Sequence, residues 1–118
     1  MTEQNLATYI LSLGEQAKAA SRIMAMASSE QKNLVLLTLA ERIEAEAETL
    51  IAKNKLDLDA GKANGLDAAL LDRLALNPAR IAGMADGLRQ VAGLADPVGQ
   101  VSNSAMRPSG IEVGQMRV

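Results

Sequence analysis

The amino-acid sequence predicts a mostly α-helical protein in which the helices are followed by two short β-strands. Hydrophobic residues make up 48% of the 118 residues, and most are Ala and Leu, which favour helices. Tyr9 is the single aromatic residue, so the core is expected to be thin. Apolar residues recur at helical spacing as far as Leu94, whereas short extended runs follow Pro97. We therefore expect a helical segment over residues 1–97 and a two-strand segment over residues 98–118.

The first helix is predicted from Glu3 to Ala27 by an amphipathic pattern. Its polar face carries Glu15, Lys18 and Arg22. Gly14 weakens the helix, and a bend at that point is an open alternative. The apolar stripe consists of Leu6, Ile10, Leu13, Ala17, Ala20 and Met24.

A second helix is predicted to start after Ser28, because Ser28 and Gln31 fit a capping box. Glu30 suits the positive end of the helix dipole. The stripe predicted to be buried consists of Leu36, Leu39, Ala40, Ile43, Ala47, Leu50 and Ile51.

This second helix is not expected to continue unbroken. Asp57 and Asp59 would lie near the C-terminal end of one long helix, where negative charge is unfavourable, so we expect a break near Asn54. Asn64-Gly65 then indicates a helix end, with Gly65 in the left-handed conformation.

Two further helices are indicated by their caps. A short one is predicted over Asp67–Leu74, and Asn77 as N-cap with Pro78 in the first turn predicts another that ends near Leu94. Asp96-Pro97 prevents it from continuing. The apolar face of this last helix consists of Ile81, Met84, Ala85, Leu88, Val91 and Ala92.

The final residues are predicted to form an extended hairpin. Val98–Val101 is the first short strand, Ser102–Gly110 reads as a loop, and Ile111–Val118 is the second extended run. A strand at a chain terminus cannot satisfy its own ladder hydrogen bonds, so we expect the chain to be the front part of a longer protein.

Composition argues against several classes of function. The net charge is -2, and there is neither a basic patch nor a set of aromatic residues for stacking bases, so we expect no nucleic-acid partner. There is no Cys, and the N-terminus lacks the apolar run of a signal peptide. No stretch approaches transmembrane length, so a soluble cytoplasmic protein without a membrane partner is expected.

No active site can be assembled from the residues present. The chain has no Cys or His to serve as nucleophile or base, and no glycine-rich phosphate loop follows a strand. We therefore expect no catalytic, cofactor-binding or metal-binding residue. An acidic cluster is favoured as a solvated helix face over a metal site, because no His supports it; it comprises Glu41, Glu44, Glu46 and Glu48.

Gly83 and Gly87 form a small-xxx-small pair on the last helix. Such spacing usually lets another backbone approach closely, and the alternative is space for a substrate beside the helix. Both interpretations stay open from the sequence.

Several runs of the sequence together resemble γ-glutamyl phosphate reductase, also called glutamate-5-semialdehyde dehydrogenase. The most specific are Asp72-Arg73-Leu74-Ala75-Leu76 and Asp96-Pro97-Val98-Gly99, in this order and at this spacing. The Ala-rich first helix and the Glu-rich second helix also match, so the resemblance spans essentially the whole chain. The full set of matching runs is Asn64-Gly65-Leu66, Leu71–Ile81, Gly87–Gly99 and Arg107–Ile111.

The resemblance implies the opening part of an aldehyde-dehydrogenase-like α/β fold that stops before the dinucleotide-binding domain. The intact parent would reduce γ-glutamyl phosphate to glutamate 5-semialdehyde with NADPH in proline biosynthesis, through a cysteine thioester. That cysteine would lie beyond Val118, so the chain by itself is expected to be inert and to hold no cofactor. Gly83 and Gly87 would lie beside the substrate entrance.

The resemblance also implies partners. Related dehydrogenases dimerise through strands that precede the dinucleotide-binding domain, so a homo-oligomer is expected through Val98, Val101, Ile111 and Val113, whose strand edges would otherwise be exposed. The glutamate kinase that supplies the substrate is a further candidate partner. A stand-alone helical module that self-associates is the alternative function. A helix-turn-helix regulator around Arg80–Leu94 lacks the necessary basic stripe.

Overall fold

In the computed structural model, which describes residues 2–118, five α-helices precede two antiparallel β-strands. The predicted fold class is therefore confirmed. The chain divides into two compact units: Glu30–Leu94 is one, and residues 2–29 with residues 95–118 form the other.

Helix α1 runs without interruption from Glu3 to Met26 and passes through Gly14. Its N-cap is Thr2, whose hydroxyl oxygen accepts a hydrogen bond from the Asn5 amide at 3.3 Å. Every apolar side chain of its stripe is exposed. The sequence thus predicted the extent of this helix to within one residue.

Helix α2 spans Ser29–Ala45 and helix α3 spans Ala47–Ala63, so the predicted break near Asn54 is wrong. The break between the two helices is at Glu46. Helical hydrogen bonds nevertheless continue across it, because the Glu46 amide donates to the Arg42 carbonyl and the Leu50 amide donates to the Glu46 carbonyl. Asp57 and Asp59, which suggested an earlier break, lie inside α3. The helix continues past them to Ala63, and Lys62 places a positive charge in its last turn.

The end of α3 is a Schellman motif. The Leu66 amide donates to the carbonyl of Gly61 at 3.0 Å, and the Gly65 amide donates to Lys62 at 3.1 Å. Gly65 has φ of +79°, as predicted. Gly61 is buried because the Leu66 side chain folds back onto it; a Cβ there would lie 2.9 Å from Leu66 Cδ1.

Helices α4 (Ala68–Leu74) and α5 (Pro78–Ala92) begin at caps that the sequence indicated. An Asp67 carboxylate oxygen accepts from the Leu70 amide at 2.8 Å, and the Asn77 side-chain oxygen accepts from the Arg80 amide at 2.8 Å. Pro78 occupies the first turn of α5, where its missing N–H costs nothing.

Strands β1 (Val101–Met106) and β2 (Glu112–Met116) form the hairpin. The predicted loop over Ser102–Gly110 is wrong in its first half, because residues as far as Met106 pair with β2. A bulge lies between Ser102 and Ala105, where Asn103 adopts φ of +53°. Asn tolerates this left-handed conformation better than most residues, which lets a polar stretch remain in the ladder.

All buried residues of the described chain lie in Glu30–Leu94. Three are apolar, namely Ala40, Ile81 and Ala85, and the other two are Gly61 and Asn54. Most of the predicted stripe of α2 and α3 is half-buried, but Leu39 is 44% exposed and is an exception to the prediction. Such a small core makes polar contacts between helices important for holding their arrangement.

Candidate functional site

Asn54 ties helix α3 to the connection between α4 and α5. Its side-chain amide donates to the Leu74 carbonyl at 2.8 Å, and its oxygen accepts from the Leu76 amide at 2.8 Å. The residue is 7% exposed. One side chain thus satisfies the carbonyl of the last residue of α4 and an amide of the connection that follows it, groups that would otherwise be left partly desolvated.

Arg80 also binds the backbone between α4 and α5. Its guanidinium donates to the backbone carbonyls of Asp72 and of Ala75, the second at 2.7 Å, and to the Asp72 carboxylate at 3.1 Å. These carbonyls lie at the C-terminal end of α4, where a cation is favourable. The run Asp72-Arg73-Leu74 and the following Asn77-Pro78 therefore have a structural explanation: they shape the turn from α4 into α5.

Glu44 of α2 and Arg89 of α5 form a bidentate ion pair. The two guanidinium nitrogens lie 2.9 and 2.6 Å from the two carboxylate oxygens, and Asp86 accepts a longer contact of 3.4 Å from Arg89. The hydrogen bonds from Arg89 lower the pKa of Glu44, against an opposing effect of burial, and the same contact raises the pKa of Arg89. Glu44 therefore joins two helices and is not merely part of a solvated acidic face.

The four acidic residues of the predicted cluster extend from α2, through Glu46, into the first turn of α3. Among residues 2–118, no group of three or more His, Cys, Asp or Glu side chains is placed to hold a metal ion. Within the same residues, no helix is both long and apolar enough to cross a membrane.

The glycine face of α5 is open. Apart from the adjoining residues and the nearby backbone of α5 itself, a Cβ built on Gly83 or on Gly87 would meet no heavy atom of the described residues within 4 Å. The close-packing interpretation of this glycine pair stays a prediction, as does the alternative. Met84 and Val91, which the sequence assigned to the apolar face, are 45% and 51% exposed beside them. The role of Gly83 and Gly87 beside a substrate remains a prediction.

The four residues predicted for self-association lie in different parts of the hairpin. Val101 and Val113 belong to β1 and β2 and are 57% and 43% exposed. Val98 lies in a turn before β1, in which the Gln100 amide donates to the Pro97 carbonyl at 3.2 Å. Ile111 directly precedes β2, and its carbonyl accepts a hydrogen bond from the Arg107 amide across the hairpin at 2.7 Å. Self-association itself remains a prediction.

The run Asp96-Pro97-Val98-Gly99 builds that turn. An Asp96 carboxylate oxygen accepts from the Val98 amide at 3.0 Å, and the other accepts from the Ser29 hydroxyl at 3.1 Å. Gly99 has φ of +84°, a conformation that disfavours residues with a Cβ. The residues of this motif, like those between α4 and α5, therefore stabilise a turn of the backbone.

A shallow apolar groove on α2 was missed by the sequence analysis. It encloses about 400 Å³ and is lined by Leu34, Val35, Thr38, Leu39 and Arg42. The signal was present, because Leu34-Val35-Leu36-Leu37 places apolar residues around the whole helix rather than along one stripe.

The fold and these contacts define a helical scaffold followed by a hairpin, in which the polar residues are used to position backbone. No family model matches the chain. Among solved structures, the chain is similar to γ-glutamyl phosphate reductase from Thermotoga maritima, with a TM-score of 0.82 and 29% sequence identity. The match covers 90% of this chain and 26% of the other, so the chain spans about a quarter of that structure. The resemblance predicted from the sequence is confirmed.

Proposed function

We propose that this chain is the N-terminal scaffold of a γ-glutamyl phosphate reductase. The intact enzyme would reduce γ-glutamyl phosphate to glutamate 5-semialdehyde with NADPH in the cytoplasm, as a step of proline biosynthesis. The observation that carries the proposal is the similarity to the Thermotoga maritima enzyme over 90% of this chain at a TM-score of 0.82. The two most specific sequence motifs support the proposal. They lie in the turn from α4 into α5 and in the turn before β1, where they orient the backbone of a scaffold.

The chain alone is proposed to be catalytically inert. Its sequence contains no Cys that could form a thioester and no His. We also propose that this chain holds no NADPH by itself; in its support, β1 leads into a hairpin and not into a glycine-rich turn that begins a helix. The chemistry would therefore belong to residues outside this chain.

The test compares this chain with the protein expressed from the whole reading frame that contains it. Each is incubated with glutamate 5-semialdehyde, phosphate and NADP⁺, and formation of NADPH is followed in the reverse reaction. We expect activity from the longer protein alone. A folded longer protein without this activity would overturn the assignment, and activity of residues 1–118 alone would overturn the proposed inertness.

Within that enzyme, Gly83 and Gly87 are proposed to leave room for the substrate beside α5. The open space around both glycines supports this role. Gly83→Leu in the longer protein should raise KM, whereas Ala82→Leu, at an exposed neighbouring position of the same helix, should leave it unchanged. Equal effects of the two substitutions would remove the proposal.

A homo-oligomer formed through the hairpin is also proposed. In the described chain β1 pairs with β2 alone, so each strand has an outer edge available for strand addition. Val101→Lys with Val113→Lys should lower the oligomer fraction in sedimentation velocity. Ala52→Lys with Ala60→Lys, at exposed positions of α3, is the matched control. Unchanged oligomerisation in the double variant would refute this role of the hairpin.

The glutamate kinase that makes the unstable acyl phosphate is the proposed second partner, tested by co-purification with the intact enzyme.

A further inference from the structure

Asn64 is the only asparagine of this sequence that is followed by Gly. In an Asn-Gly pair the backbone nitrogen of Gly can attack the side-chain carbonyl carbon of Asn, because no Cβ on the second residue hinders the approach. A bond forms between that nitrogen and Cγ, the bond from Cγ to Nδ2 breaks, and the amide proton leaves with the released ammonia. Water then opens the succinimide ring to aspartate or to isoaspartate. Water is thus the only co-reactant that the modification needs.

The side chain of Asn64 is available for this reaction. The residue is exposed, and within residues 2–118 its carboxamide forms no hydrogen bond. Asn54 and Asn77, by contrast, use their carboxamides to bind backbone groups. Asn77 is also followed by Pro78, whose nitrogen carries no proton to lose. Sequence and exposure therefore single out Asn64.

The folded conformation of the pair opposes ring closure. Asn64 has ψ of 7°, so the Gly65 nitrogen is nearly eclipsed with the backbone nitrogen of Asn64. Ring closure needs the Gly65 nitrogen aligned with Cβ of Asn64 instead, which takes a rotation of roughly a third of a turn about the Cα–C bond of a tetrahedral Cα. The Gly65 amide also donates to the Lys62 carbonyl at 3.1 Å, and its proton must be lost before the nitrogen can attack.

The same rotation would break the Schellman motif at the end of α3. The Leu66 amide donates to the Gly61 carbonyl at 3.0 Å, and the Leu66 side chain lies so close that a Cβ on Gly61 would be 2.9 Å from its Cδ1. Turning the peptide between Asn64 and Gly65 displaces both hydrogen bonds of the motif together with this apolar contact. Reaction at Asn64 therefore requires the end of α3 to open.

We propose that Asn64 is a site of spontaneous deamidation that is gated by the Schellman motif. The reaction proceeds from the small population in which the motif is open, and the closed population is protected. Both products place a negative charge at the C-terminal end of α3, where it is unfavourable, and isoaspartate also adds a carbon to the backbone. The motif should therefore close less readily once Asn64 is modified. The inference does not depend on the proposed reductase function.

Peptide mapping of the 118-residue chain by mass spectrometry tests the site. The chain is incubated in mildly alkaline buffer, with and without enough guanidinium chloride to unfold it. In the unfolded chain Asn64 should be the first asparagine to be converted, and in the folded chain its conversion should be at least about tenfold slower. Equal rates in the two conditions, or faster conversion of another asparagine in the unfolded chain, would overturn the proposal.

Leu66→Ala tests the gate itself. It removes the contact with Gly61, so the folded-state rate should rise about three- to tenfold, whereas the rate in guanidinium chloride should not change. Leu56→Ala, the same change at a 62% exposed position of α3, is the matched control and should leave the folded-state rate within about twofold. Equal folded-state rates in the two variants would overturn the gating.

Hydrogen exchange at the Gly65 amide gives an independent measure of the gate in the wild-type chain. Because both reactions need the hydrogen bond to Lys62 to open, the ratio of folded to unfolded deamidation rates should match the open fraction that exchange reports. A ratio that departs from this fraction by more than about tenfold would show that opening of the motif does not control the reaction.

Discussion

Replacing Asn54 by Ala removes two hydrogen bonds between α3 and the connection from α4 to α5. The Leu76 amide and the Leu74 carbonyl lose partners that lie 2.8 Å away. A partly buried group left without its partner costs about 1–1.5 kcal/mol at the lower end of the usual range, or roughly 2–3 kcal/mol for the two. Ala has the higher helix propensity and returns about 0.5 kcal/mol, so the net loss is about 2 kcal/mol.

The loss is measured by urea unfolding followed by circular dichroism, together with hydrogen exchange at the Leu76 amide. A loss of about 2 kcal/mol corresponds to a melting temperature lowered by roughly 8–16 °C in a domain of this size. Asn33→Ala in the interior of α2 is the control, and it should be neutral or slightly stabilising because only propensity changes. If Asn54→Ala unfolds at the same urea concentration as Asn33→Ala, the clamp does not stabilise the fold.

A second substitution at this position separates the hydrogen bonds from packing. Asn54→Asp keeps an acceptor for the Leu76 amide but places a carboxylate oxygen against the Leu74 carbonyl. Protonation restores a donor, so the pKa of the new carboxyl should be higher in the folded state than in the unfolded state. The folded state then binds the proton more tightly, and the stability deficit should shrink as the pH falls. A deficit that grows on acidification would contradict the geometry.

The remaining predictions concern the ion pair and two glycines. Arg89 lowers the pKa of Glu44, so the stabilisation is present above the unfolded pKa and is lost as the pH falls through the folded pKa. The urea midpoints of wild type and Glu44→Gln should therefore converge on acidification; parallel curves for the two proteins would refute the role of the pair. Gly83→Ala should stabilise the chain by about 0.5–1 kcal/mol, since its Cβ meets open space in a helix. Gly61→Ala should gain less or destabilise, because its Cβ would lie 2.9 Å from a Leu66 methyl carbon; equal melting temperatures for the two variants would contradict this.

The local signals in the sequence were sufficient for most helix boundaries. Asn77 with Pro78 and Gly65 after Asn64 were identified correctly, because a cap is determined by residues within one turn of the helix. The same physical reasoning found the end of α4 and the start of α5 without any knowledge of their packing.

The predictions were wrong where the local structure depends on contacts with residues distant in the sequence. Asp57 and Asp59 suggested a break near Asn54, but α3 continues through Asn54, whose side chain bonds to residues 20 and 22 positions away. Strand β1 contains Ser102 and Asn103, which have little intrinsic preference for strands, and its pairing with β2 overrides that preference.

The surfaces were harder to predict than the elements. Periodicity identified the apolar face of α1, but it carries no information on what covers that face, and the stripe is exposed in the structure. The sequence did not reveal what the motifs that resemble the reductase do, and the structure places them in turns whose backbone is hydrogen-bonded by Arg80 and Asp96.

The most direct test of the scaffold assignment is the coding sequence that follows the codon for Val118. The reading frame should continue into the first strand of a dinucleotide-binding domain and, further on, into a segment that bears a catalytic Cys. A stop codon immediately after Val118 would contradict the assignment to a reductase and would favour a stand-alone module that acts by self-association.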